Sequence, residues 1–99
     1  MKVKAKQSGD IVKVKMLISH IMETGRRKDD AGKLIPGHYI TEVVARYQDK
    51  IVFHVETGSA VSKDPYLAFA FKGGVAGNKL TVSWVDNQGN TETTDAVIK

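Results

Sequence analysis

The sequence contains no cysteine. That excludes a disulfide, a thiolate nucleophile, a cysteine-bound zinc, an iron–sulfur cluster and a lipidated thiol. Long apolar runs are also missing. None approaches the roughly 20 residues needed to cross a bilayer, so membrane insertion is not expected. The opening stretch MKVKAKQSGD carries charge but no apolar h-region, so no signal peptide is visible. Aromatics make up 7% of the chain, and no basic face carries the aromatic interleaving that stacks bases, so a nucleic-acid partner is not expected. No serine sits in a Gly-x-Ser-x-Gly elbow, and no glycine motif follows a strand to cradle phosphates, so no cofactor is expected. Segments of helical period are lacking as well.

What remains is 99 residues, 41% hydrophobic and 26% charged, with a formal charge of +4. That length suits one domain spanning residues 1–99, and the composition is that of a globular protein. The mild basic excess favours an acidic partner or surface.

Period-2 alternation runs through most of the chain. Val3 and Ala5 alternate with Lys2, Lys4 and Lys6. Val12, Val14, Met16 and Ile18 then oppose Lys13, Lys15 and Ser19. Pairing of these two strands would crowd five lysines on one outer surface, which serves solubility and edge protection or forms a binding patch. HYITEVVARYQ reads as a strand with Tyr39, Thr41, Val43, Ala45 and Tyr47 on one side, turning through Gln48, Asp49 and Lys50 into IVFHVET. There Ile51, Phe53 and Val55 share a face, and Val52, His54 and Glu56 the other. Leu67, Phe69 and Phe71 form the next apolar face, then Leu80, Val82 and Trp84, and TETTDAVI ends the series after the turn DNQGN. About seven strands, each with one apolar face, pack most economically as two antiparallel sheets. The expected fold is an all-β, immunoglobulin-like β-sandwich with Trp84 in its core. Leu17, Val44, Val52 and Val85 would leave apolar surface outside it, and His54 would be exposed or at an interface.

The stretch Ser19–Gly37, SHIMETGRRKDDAGKLIPG, breaks this pattern. Long structureless stretches are uncommon in small domains and often functional. It is either a solvated charged loop or a contact surface, and methionine and arginine are both enriched at interfaces. A metal or enzymatic site would draw on His20, Glu23 and His38, although no tight ligand spacing is present.

The order LISH-x-METG-x-RKD-x-x-G-K-L-IP from Leu17 to Pro36 resembles the SoxZ family of sulfur-oxidation proteins. The resemblance continues through Gln48–Phe53, through Ala60-Val61-Ser62 to Asp64-Pro65-Tyr66-Leu67, and through Trp84-Val85-Asp86. Ile21 departs from it, because the family has proline after the histidine. The resemblance implies a non-catalytic, immunoglobulin-like subunit of the SoxYZ carrier complex, paired with SoxY, which carries sulfur intermediates on a cysteine of a mobile C-terminal arm. It implies a heterodimer or higher assembly, transient contact with other Sox enzymes, and a periplasmic location reached together with a signal-bearing partner. A homodimer of the isolated chain stays open. In such a complex His20, Met22, Glu23, Thr24, Gly25, Arg27, Lys28, Asp29 and Pro36 are the expected partner interface.

Overall fold

The computed structural model describes residues 1–99. Its elements are β1 (Lys2–Ser8), β2 (Ile11–Leu17), β3 (Ile40–Tyr47), β4 (Lys50–Glu56), β5 (Tyr66–Lys72), β6 (Lys79–Asp86) and β7 (Thr91–Val97), with no helix. One antiparallel sheet has the order β1-β2-β5 and the other β4-β3-β6-β7. This is the immunoglobulin-like sandwich that the alternation predicts.

The core forms where the inward faces meet. Ala5, Val12, Val14, Met16 and Phe71 from the first sheet pack against Val43, Ala45, Tyr47, Leu80, Val82 and Trp84 from the second. Trp84 is in this core as expected, and its indole N–H donates to Glu92 Oε1 at 3.0 Å. Gly74 fits beside Val12 and Phe71 only because it lacks a side chain. A Cβ there would come within 2.4 Å of Val12 Cγ2.

Two irregularities shift the expected faces. Register slips between Ile40 and Glu42 in the β3–β6 pairing. Ile40 therefore turns inward and is buried together with Val43, which strict alternation places on opposite faces. A second slip lies where Ala45 pairs with Phe53 and Arg46 with Ile51, leaving Val52 as the extra residue. Ile51 consequently points to solvent, while Val52 packs against the core. Val44, expected to add outer apolar surface, lies between β4 and β6 and is buried. Leu17 is exposed, and His54 is half-exposed beside Glu42 at 3.2 Å. The β3–β4 turn is the expected tight hairpin. Gln48 and Asp49 both have left-handed φ, 49° and 63°, as a type I′ turn requires.

The two sides of the sandwich differ. The last residues run parallel to β1, with Lys99 N–H donating to the Ala5 carbonyl at 2.9 Å and Gln7 N–H to Lys99 O at 2.7 Å. This closes the β1 edge against the β7 side. Opposite, β4 and β5 meet chiefly through the stacked rings of Phe53 and Phe69, 4.2 Å apart.

Candidate functional site

The stretch 19–37 is not structureless. It doubles back on itself as an irregular two-stranded arm. Glu23 and His38 exchange both backbone hydrogen bonds, at 2.6 and 2.9 Å. Ile35 N–H donates to Arg27 O, and Asp29 N–H to Lys33 O. The Asp29 carboxylate accepts from Ala31 and Lys33 N–H and shapes the tip, where Gly32 takes a left-handed φ of 80°. At the base the two strands nearly touch. A Cβ on Gly25, itself at φ 83°, would sit 3.3 Å from the Gly37 Cα. The molecule measures 55 × 20 × 16 Å. An eight-residue strand spans about 27 Å, so the elongation reflects an arm projecting beyond the sheets.

The base of the arm is locked by a buried polar cluster. His20 follows β2, His38 precedes β3, and Asp86 ends β6, all at one end of the sandwich. His20 Nε2 lies 3.1 Å and His38 Nε2 2.7 Å from Asp86 Oδ2. Asp86 Oδ1 accepts from the Gln88 and Asn90 backbone N–H groups, and Oδ2 also from Asn90 Nδ2. The carboxylate thus holds both stems of the arm and the β6–β7 turn at once. The His20 ring packs edge-on against Trp84, with centroids 5.2 Å apart, and against His38 at 4.7 Å. On the other flank, His20 N–H donates to Asp64 Oδ1, and Asp64 N–H to His20 O.

The electrostatics favour an ionised Asp86. Burial by itself pushes the carboxyl up. Hydrogen bonds from His20, the Asn90 backbone, His38 and the Asn90 side chain outweigh it, holding the group well below its usual range. No buried side-chain polar atom in the molecule lacks a partner, so the cluster is fully satisfied.

The same three residues have metal-ligand geometry, with ligand atoms within 4.8 Å of one another. The donor pattern argues for a hydrogen-bonded clasp instead. Met22 N–H donates to His20 Nδ1 at 3.0 Å, so that nitrogen is an acceptor and the ring proton resides on Nε2, facing Asp86. A metal-bound histidine ordinarily donates from its second nitrogen. Met22 is held in turn at a left-handed φ of 48°, with its sulfur accepting from Ile40 N–H at 3.4 Å.

The expected site residues therefore divide. His20, Met22 and Glu23 are buried and committed to internal contacts. Thr24, Arg27, Lys28, Asp29 and Pro36 are exposed along the arm, and Gly25 forms its base. Glu23 does not join the histidines as the metal or enzymatic reading required. It pairs with Arg27, whose Nε lies 3.0 and 3.1 Å from its two oxygens. The hydrogen bonds from that guanidinium hold the Glu23 carboxyl below its usual range. Asp86 takes the place that sequence reasoning gave to Glu23. Its signal was a carboxylate ending an apolar strand directly before a turn. The β3–β6 pairing that brings Ile40 opposite Asp86 delivers it to the histidines.

No curated protein matches the chain. The family model described as Sulphur oxidation protein SoxZ matches residues 1–97. The chain belongs to the SoxZ family, and its role lies in the sulfur-oxidation system that this family serves.

Proposed function

We propose that this chain is a non-catalytic, partner-binding subunit of a periplasmic sulfur-carrier complex, exported with a signal-bearing partner. It binds a SoxY-type protein that carries the sulfur intermediate, and the clasped arm is its principal contact. The observation that carries the reading is the combination of a rigid base and an exposed shaft. Buried polar residues fix where the arm leaves the sandwich, while Thr24, Arg27, Lys28, Asp29, Leu34 and Pro36 remain open to a partner. Leu34 is 61% exposed, an apolar side chain that a contact would desolvate. Arg27 and Lys28 place positive charge where anionic sulfur cargo approaches, which speeds encounter. Pre-organisation lowers the ordering cost of binding, and the clasp supplies it.

The test is a calorimetric titration with a SoxY-type partner. R27A/K28A and L34A should weaken binding while leaving the fold intact. Unchanged affinity for both variants at low salt would remove the arm from the interface.

A further inference from the structure

The outer face of the three-stranded sheet is not used by the arm, the clasp or the core. Register sets its contents row by row. Lys2, Leu17 and Tyr66 form one row, then Lys4, Lys15 and Ala68, then Lys6, Lys13 and Ala70, then Ser8, Ile11 and Lys72. Six lysines point from this face and no carboxylate does. Lys99 joins Lys4, Lys6, Lys13 and Lys15 along an open groove of about 610 Å³ between β1 and β7. These seven leave eight cationic side chains against eleven carboxylates for the rest of the chain, so the molecule is strongly polarised despite its modest net charge. None of the seven is in an ion pair. Lys79, beside Asp95 at 3.7 Å, is the only lysine that is.

The arrangement costs stability. Lys4 lies directly opposite Lys15, and Lys6 opposite Lys13. Like charges facing each other across strands are destabilising. Solubility needs charge, but interspersed signs supply it without this penalty. A face that keeps two opposed lysine pairs and no counter-charge is suited to an external anion.

We propose that this face is a docking surface for an acidic segment of a partner protein, distinct from the arm contact and engaged transiently. The chemistry selects that occupant. Lysine is a hydrated point charge that steers and holds carboxylates loosely, while the arginine fork that grips phosphate bidentately is absent from the face. Tyr66 is its one aromatic and lies at its margin, so bases have no stacking platform. Ala68 and Ala70 form low ground between the lysines and β5's free edge, where a segment can lie close to the sheet. Its centre presents no bulky apolar side chains to enter a lipid surface.

The chain of residues 1–99 is titrated at low salt with short poly-L-glutamate, with an oligonucleotide of equal charge, and with anionic lipid vesicles. The variants are K13E/K15E, K13Q/K15Q, and the control K50E/K63E, two exposed lysines on other surfaces. Poly-L-glutamate should bind tighter than the other two probes, lose at least about tenfold in affinity in both face variants, and change little in the control. Both face variants should also melt above the wild type at low salt, because opposed like charges are relieved. Preference for the oligonucleotide or the vesicles, equal loss in the control, or face variants that bind unchanged would each overturn the proposal. A lower melting temperature in both face variants would overturn the argument that the lysines oppose the fold.

Discussion

The clasp and the lysine face handle charge in opposite ways. At the arm base a buried carboxylate receives five hydrogen bonds and nothing is left over. On the outer sheet, lysines stand opposite lysines with no partner. The first arrangement spends its polar groups on architecture, since a satisfied buried network fixes geometry and leaves no free valence for a ligand. The second leaves its groups available at a cost to the fold. The arm lies between these extremes: its base belongs to the clasp and its shaft is open.

Breaking the clasp should have the largest effect. D86N puts an amide NH₂ against donor groups and leaves the His20 Nε2–H without its acceptor in a buried site. It should cost about 3 kcal/mol in denaturant-induced unfolding. The arm should then lose protection from hydrogen exchange before the sheets do.

The pH dependence of that loss separates the two regions. The folded carboxyl of Asp86 lies below its unfolded value, so its contribution is complete above the unfolded carboxylate range. It drains away as pH falls below about 5. Unfolding free energy should therefore decline with acid in the wild type and more shallowly in D86N, whereas K13E/K15E should retain the wild-type contribution of Asp86. An equal slope in D86N would show that the clasp is not the titrating element.

R27A/K28A comes next. Arg27 is largely exposed, so its pair with Glu23 contributes little to stability, and the double variant should leave the unfolding midpoint almost unchanged. Partner affinity should fall about tenfold if the arm holds the partner.

The smallest expected effect is that of zinc. With His20 Nδ1 already accepting from Met22, added zinc should leave the melting temperature unchanged in wild type. A rise that depends on His20 and His38 would turn the clasp into a metal centre and restore the metal-binding reading.

The sandwich was legible because alternation reports directly which face of a strand is buried. It failed where bulges intervene. Ile40 and Ile51 each moved to the opposite face because one extra residue inverts the pattern, and no local residue preference announces that residue. Five of the six lysines on the outer face were legible once the first two strands were paired, but Lys72 joins them only through the β2–β5 pairing, which the alternation did not reveal. The arm was visible only as an interruption, because its pairing is irregular and its apolar content is low. The clasp was half legible. His20 and His38 drew attention as residue types, but the nearest carboxylate in sequence, Glu23, was the wrong one. Asp86 lies 66 residues from His20, and only sheet order brings it there.

Lysine-specific labelling read by mass spectrometry, with the chain alone and bound to a SoxY-type partner, tests the division of labour most directly. Lys28 and Lys33 on the arm should lose reactivity on binding, while Lys4, Lys6, Lys13 and Lys15 remain labelled. Protection of the sheet lysines with an arm still fully reactive would contradict it.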